Sequence, residues 1–150
     1  MRLRDFFSVS DICLDLDAPT RDEALARTVG LLHVGERTEA TILKVLHRRE
    51  LMGSTGFGRG IAIPHCRSLV IPRIRLAYAR FQHGIEWDAL DGQAVYHVFL
   101  ITAPPNEISN QYLPVLGRLA QFARDPEVPR LLNSLSRPPE FLSLLESIGA

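Results

Sequence analysis

The residues with the clearest chemical potential lie in the segment GSTGFGRGIAIPH, residues 53–65. Glycines fill four of its first eight positions, and the segment ends on Pro64 and His65. Glycine permits positive φ angles and brings backbone N–H groups together, so such a loop can cradle an anion. An imidazole can attack a phosphoryl group through one ring nitrogen when an acceptor holds the proton on the other. One interpretation is therefore phosphoryl transfer at His65; the other is an ordinary histidine beside a glycine turn.

Two familiar phosphate-binding loops do not match this segment. The nucleoside-triphosphate loop needs a lysine directly after its last glycine, and none is present here. The dinucleotide fingerprint leads from a strand into a helix, whereas this segment is predicted to lead from a helix into the short strand IAI, residues 61–63. The sequence therefore predicts no nucleotide pocket and no cofactor.

Cys66, next to His65, raises the alternative of a thiol nucleophile or a metal site. Adjacent residues of a strand point to opposite faces, which argues against a shared site. Cys13 and Cys66 have no zinc-ligand or disulfide-framework spacing. The other histidines are interpreted as solvated (His33 and His47), as part of a turn (His83) and as a packed strand residue (His97). We expect Trp87 and Phe99 in the core.

The elements that must position His65 begin with two helices. Thr20 followed by Glu23 is a capping-box pattern and predicts a helix over residues 21–33. Helical spacing of apolar residues predicts a second helix over residues 38–50, which delivers the chain into the glycine loop. Pro64 fixes its own φ and favours an extended conformation for the residue before it, so His65 is presented by a stiff backbone.

Strand and helix patterns follow the loop. Alternation predicts a strand over residues 74–81, and a β-branched and aromatic run predicts a buried strand over residues 94–104, with turns in residues 82–92. Helical spacing returns after Asn110, which can cap that helix and places Pro114 in its first turn. Two shorter helices are predicted over residues 130–135 and 138–149. The order of elements predicts an α/β domain.

Composition bounds the function class. The 150 residues are 46% hydrophobic and 23% charged, typical of one globular domain, and we expect a single domain over residues 1–150. The 17 basic and 17 acidic residues balance, which does not favour nucleic-acid binding. The absence of a signal-peptide pattern or a run of spanning length predicts a cytoplasmic protein that does not insert into membranes.

The segment RELMGSTGFGRGIAIPH, residues 49–65, closely resembles the active-site segment of the enzyme IIA proteins of the bacterial phosphoenolpyruvate-dependent phosphotransferase system, of the mannitol, fructose and nitrogen-regulatory type. The likeness extends to GIEWDALDGQAVYHVFLITAP and to LPVLGRLAQFARDPEVPRLL. The sequence of the loop is most similar to that of the nitrogen-regulatory branch. The resemblance implies a mixed β-sheet flanked by helices on both faces.

The resemblance also implies site residues and partners. His65 would accept phosphate from an HPr-like phosphocarrier, Arg49 would steady the phosphoryl group, and Ser54 and Thr55 would line its pocket. Phe57 and Leu69 would belong to an apolar rim for partner proteins. Family members commonly carry a second histidine in an HL pair, where this chain has Tyr112 and Leu113. Tyr112 can donate a hydrogen bond to the phosphoryl group but brings no positive charge.

Several functions remain open. The chain is interpreted as a phosphoryl-carrier regulatory protein whose phosphorylation state controls transporters or kinases. The alternatives are a binding-only regulator that has lost efficient transfer through the change at Tyr112, and a sugar-specific component that passes phosphate to a IIB domain. A small-molecule sensor using the same pocket is a further possibility.

Overall fold

A six-stranded mixed sheet forms the centre of the molecule. The structure, a computed structural model, describes residues 2–106 and 110–150. The strands are β1 (Ile12–Leu16), β2 (Gly56–Gly58), β3 (Ile61–Ala62), β4 (His65–Arg67), β5 (Arg75–Ile85) and β6 (Val95–Ala103). Their order is β1-β5-β6-β3-β2, and β4 pairs with β6 further along the same edge as β3. The central β5–β6 pair is antiparallel, whereas β1 runs parallel to β5, and β3 and β4 run parallel to β6.

Helices cover both faces of this sheet. They are α1 (Arg21–Gly30), α2 (Glu36–Met52), α3 (Tyr112–Arg124), α4 (Val128–Asn133) and α5 (Pro138–Ser147), preceded by two short 3-10 helices at Leu3–Phe6 and Val9–Asp11. One apolar core joins the sheet to α1 and α2, and a second joins it to α3, α4 and α5. The predicted α/β fold with helices on both faces is confirmed.

Alternating residues of the central strands build the two cores. Tyr78 and Phe99 face α5, where both rings lie near Phe141, with ring centroids 4.5 Å apart for Tyr78 and 6.1 Å for Phe99. Ala79 and Val98, one position along each strand, belong to the core beneath α1 and α2. Both faces of the central strands are thus buried, which explains their nearly continuous apolar sequence.

Helix α2 ends at the glycine loop and determines where the loop begins. Its buried positions are Ile42, Leu46 and Glu50, spaced by four residues along one face. Gly53, which directly follows the helix, has a φ of 154° and its N–H contacts the Glu50 carbonyl. The first residue of the loop is therefore hydrogen-bonded to the last turn of the helix.

Several local predictions were wrong. Helix α1 ends at Gly30, not at residue 33, so the exposed His33 follows the helix. Strand β5 continues to Ile85, which places His83 on a strand and not in a turn. The residue that precedes α3 is Gln111, and Asn110 adopts a left-handed φ of 55° without capping the helix. The Thr20 cap of α1 is confirmed, since its hydroxyl accepts a hydrogen bond from the Glu23 N–H at 3.2 Å.

Candidate functional site

His65 is the first residue of β4 and is half-buried. The short strand lies in parallel register with β6, with His65 opposite Ile101. Its Nδ1 atom is 2.9 Å from the carbonyl oxygen of Ile63. A carbonyl oxygen only accepts hydrogen bonds, so this contact requires the proton on Nδ1 and leaves the lone pair on Nε2. The neutral ring is therefore held in the tautomer whose Nε2 is nucleophilic.

Pro64 produces this arrangement by interrupting the sheet edge. The Ile63 N–H donates to the Thr55 carbonyl at 3.0 Å, and the Ile101 N–H donates to the Pro64 carbonyl at 3.1 Å. Proline cannot donate to a neighbouring strand. The Ile63 carbonyl lies between these two backbone contacts and turns to the imidazole of His65.

Cys66 points away from His65, into the core beneath α1 and α2. Only 2% of its surface is exposed, and burial raises the pKa of its thiol to about 11. A thiol is a poor nucleophile when it stays protonated. The described residues contain no group of three histidine, cysteine or acidic side chains placed to hold a metal ion.

A buried hydrogen-bond network fixes the start of the glycine loop. The Glu50 carboxylate accepts from the Thr55 N–H at 2.8 Å, from the Thr55 hydroxyl at 2.6 Å and from the indole N–H of Trp87 at 3.2 Å. A buried carboxylate is tolerated when its oxygens are satisfied by donors of this kind. The network connects the end of α2 to the loop and to the segment after β5.

Ser54 reinforces the same connection. Its hydroxyl donates to the Trp87 carbonyl at 2.9 Å and accepts from the Gly56 N–H at 3.0 Å. Gly56 itself packs so closely on Ala89 that a β-carbon there would lie 2.7 Å from the Ala89 Cα. Side chains at Ser54 and Thr55 thus hold the loop in shape, and their predicted contact with a phosphoryl group stays a prediction.

Arg49 lies in the last turn of α2, at the mouth of the loop. Its Nη1 donates to the Gly53 carbonyl at 2.7 Å. The side chain is half-buried, so its position is restrained by the helix end. Among residues 2–106 and 110–150, the Gly53 carbonyl is the hydrogen-bond acceptor of this guanidinium, which leaves further N–H groups suited to anion binding.

Tyr112 begins α3 and is 7% exposed. The guanidinium carbon of Arg67 lies 4.5 Å from the centroid of its ring. Burial raises the pKa of Tyr112, against the lowering influence of the positive charges of Arg67 and Arg49. Strand β4 and the start of α3 therefore bring Arg67 into contact with Tyr112.

Exposed apolar side chains lie on the segments that carry these residues. Leu69, just after β4, is 89% exposed, and Leu113, next to Tyr112, is 70% exposed. Met52, at the end of α2, is 84% exposed. Phe57 is half-buried and packs against the core. Of the two predicted rim residues, Leu69 is therefore fully displayed and Phe57 is partly covered.

Comparison with known proteins decides the family. The family described as "Phosphoenolpyruvate-dependent sugar phosphotransferase system, EIIA 2" matches residues 5–148. The chain belongs to this family. Two curated relatives are the 2-O-alpha-mannosyl-D-glycerate-specific EIIABC component of Escherichia coli, 31% identical over 141 residues, and a nitrogen regulatory protein of Bradyrhizobium diazoefficiens, 34% identical over 98 residues.

These IIA relatives differ in length. The match covers 92% of this chain but only 21% of the E. coli relative, and 65% of this chain and 63% of the Bradyrhizobium relative. The crystal structure of the nitrogen regulatory protein IIA-Ntr from Neisseria meningitidis is 28% identical, with a TM-score of 0.86 over 95% of this chain and 98% of that one. This IIA domain is thus related to both nitrogen-regulatory and sugar-specific components.

Glu50 and Trp87 are the parts of this IIA site that sequence reasoning missed. The four-residue spacing of Ile42, Leu46 and Glu50 places the carboxylate on the buried face of α2, and that spacing is visible in the sequence. A buried acid needs donors, and the neighbouring Thr55 was an obvious candidate. No comparable pattern pointed to the Trp87 indole.

Among the described residues, no helix is long and apolar enough to cross a membrane.

Proposed function

We propose that this IIA domain is a phosphoryl-carrier regulatory protein. His65 accepts a phosphoryl group from an HPr-like carrier protein, and the phosphorylation state then selects the partner proteins that the domain contacts. The observation that carries this proposal is the contact between Nδ1 of His65 and the Ile63 carbonyl. It presents Nε2 as a nucleophile on a stiff backbone beside a glycine loop.

The transfer forms one bond and breaks one. The Nε2 lone pair attacks phosphorus, and the bond from phosphorus to the donor protein breaks with its electron pair staying on the donor. The proton on Nδ1 remains in place, and the positive charge that develops on the ring is stabilised by the Ile63 carbonyl. Since no proton leaves His65, the step needs no general base.

Arg49 and the glycine loop would stabilise the transferred group. Phosphoryl transfer depends mainly on positioning and on donors around the phosphoryl oxygens. Arg49 is fixed at the loop mouth by its bond to the Gly53 carbonyl and retains further N–H donors. Ser54 and Thr55 would act by keeping the loop N–H groups in place, and contact of their hydroxyls with the phosphoryl group would require these to leave their present acceptors.

Phosphorylation would change how partners recognise the site. A phosphoryl group adds about two negative charges to one surface patch. Here that charge would appear among exposed apolar side chains, including Leu69 and Leu113. A transporter or kinase that docks on the apolar surface would then distinguish the two states.

Tyr112 supports a second candidate function, that of a binding-only regulator. The residue stands where related proteins commonly carry a histidine, and its neutral phenol brings no charge to the pocket. A sugar-specific role, with transfer to a IIB domain, uses the same His65 chemistry and differs only in the acceptor. The phosphoryl carrier and the binding-only regulator differ in whether acid-labile phosphate forms on His65.

Intact mass spectrometry tests the proposal. The purified chain is incubated with phosphoenolpyruvate, enzyme I and an HPr-type carrier, beside His65→Ala and the control His83→Ala, an exposed histidine on β5. We expect one acid-labile phosphoryl group on the wild type and on His83→Ala, and none on His65→Ala. Folded wild-type protein that gains no phosphate from any carrier would favour the binding-only regulator.

A further inference from the structure

Strand β4 places a second basic side chain on the same side as His65. Side chains alternate along a strand, so His65 and Arg67 project to one face while the buried Cys66 projects to the other. Residues two apart on a strand are separated by about 6.6 Å between Cα atoms. The Arg67 side chain is therefore long enough to reach a group attached to the His65 ring.

Two contacts orient the Arg67 guanidinium. Its Nε lies 3.4 Å from the Pro104 carbonyl, just beyond the end of β6. Its guanidinium carbon lies over the Tyr112 ring, 4.5 Å from the ring centroid. Such cation–π contacts favour a position of the cation over the face of the ring. Among the described residues, these two contacts leave the terminal N–H groups of Arg67 available to a further acceptor.

Tyr112 holds this cation without neutralising it. The phenol is buried, and burial raises its pKa, so it carries no negative charge near neutral pH. Arg49 acts on the same phenol from the end of α2. The two arginines therefore belong to two different elements, Arg49 to the end of α2 and Arg67 to β4.

We infer that Arg67 is a second phosphoryl-binding cation, that Tyr112 is its positioning residue, and that the pair supplies the charge a tyrosine alone lacks. This inference rests on the proposed phosphorylation of His65. Arginine binds phosphate oxygens through paired N–H groups, which suits a trigonal phosphoryl group in transfer. Arg67 forms no covalent bond in the step, and its effect is on the charge that develops on the phosphoryl oxygens.

The test measures the transfer rate from a phosphorylated HPr-type carrier at several carrier concentrations. The variants are Arg67→Gln, Arg67→Lys and the matched control Arg73→Gln, which removes an exposed arginine from the following loop. We expect Arg67→Gln to lower the rate at saturating carrier at least tenfold, Arg67→Lys to recover part of it, and Arg73→Gln to stay within twofold of the wild type.

A change only in the carrier concentration needed for half-maximal rate would overturn the inference, because it would assign Arg67 to docking. Equal rates in Arg67→Gln and Arg73→Gln would overturn it as well. These results differ from failure of the proposed function, in which the wild type itself gains no acid-labile phosphate.

Tyr112 is tested through its ring. Tyr112→Phe keeps the aromatic face and removes the hydroxyl, so we expect a saturating rate within about threefold of the wild type, with the cation–π contact kept. The saturating transfer rate of Tyr112→Leu should fall toward that of Arg67→Gln. A cooperative unfolding transition of Tyr112→Leu serves as the control that this variant is folded. A Tyr112→Phe rate as low as that of Arg67→Gln would overturn the positioning role of the ring.

Discussion

Nδ1 of His65 and the carbonyl oxygen of Ile63 lie 2.9 Å apart, although the two residues are separated by only one position in the chain. The intervening Pro64 makes this possible because it ends the pairing of β3 and lets the Ile63 carbonyl turn to the ring. The result is a backbone acceptor that selects one tautomer of the histidine. Most other hydrogen bonds of the site hold the loop or its helix in place.

The tautomer predicts where the phosphoryl group attaches. Because Nδ1 keeps its proton for the Ile63 carbonyl, we expect the phosphorus to bond to Nε2. Nitrogen-15 and phosphorus-31 NMR of the phosphorylated protein, labelled at histidine, distinguishes the two attachment sites. Phosphate on Nδ1 would contradict the role given to Ile63.

Replacing the Glu50 carboxylate by an amide is predicted to lower the free energy of unfolding substantially. In Glu50→Gln one oxygen becomes an NH2 group that faces donors from Thr55 and Trp87, so buried donors lose their acceptor. We expect the free energy of unfolding to fall by about 2 kcal/mol or more. Urea unfolding measures this, with Glu36→Gln at the exposed start of α2 as the control. A loss no larger than that of the control would show that the network does not stabilise the loop.

Replacing Cys66 is predicted to leave phosphoryl transfer to His65 intact. Its thiol lies in the core and has a pKa of about 11, so it takes no part in transfer. We expect Cys66→Ala to gain acid-labile phosphate at close to the wild-type rate, with a lowered unfolding temperature from the cavity. Intact mass and thermal unfolding check both effects. Complete loss of phosphate in a folded Cys66→Ala protein would bring back the thiol alternative.

His97 predicts how stability depends on pH. Burial, together with the positive charge of Arg80, lowers its pKa to about 4 in the folded protein, from an ordinary 6.5. The unfolded chain therefore binds a proton between these values that the folded chain does not, and stability falls as pH falls from 6.5 toward 4. This contribution is at most about 3 kcal/mol.

The variant His97→Gln isolates that contribution. Its amide can still approach the Tyr78 hydroxyl, which lies 2.8 Å from Nδ1 of His97, but it does not titrate. We expect the wild type to be the more stable protein at pH 7 and the difference to narrow as the pH approaches 4. Urea unfolding at several pH values measures the difference, and a constant value across this range would refute the assignment.

Sequence patterns predicted the elements better than their ends. Helical spacing located α2 because the four-residue separation of the apolar residues Ile42 and Leu46 is visible in the sequence, and both residues are buried in the structure. The end of α1 at Gly30 has no signal in the helical spacing, and the extension of β5 through His83 depends on pairing with the distant strand β6, which periodicity does not encode. Predicting His97 as a packed, hydrogen-bonded residue was confirmed by its contact with Tyr78.

In the candidate site, too, features within one local segment could be predicted and those that depend on tertiary contacts could not. A motif could point to His65 and Arg49, because those residues lie within one continuous segment. The orientation of Ser54 toward Trp87 and of Arg67 over Tyr112 could not be predicted, since each contact joins residues more than 30 positions apart. Tertiary packing decides which of several possible partners a polar side chain meets.

The broken edge of the sheet has a consequence for association. The strands at this edge, β2, β3 and β4, are only three, two and three residues long, with Pro64 between β3 and β4. An edge so interrupted is a poor template for the backbone of another chain. Partner proteins that bind at this edge must therefore do so through side-chain contacts, which an added phosphoryl charge can weaken. The same interruption that orients His65 thus favours reversible binding over strand-to-strand aggregation.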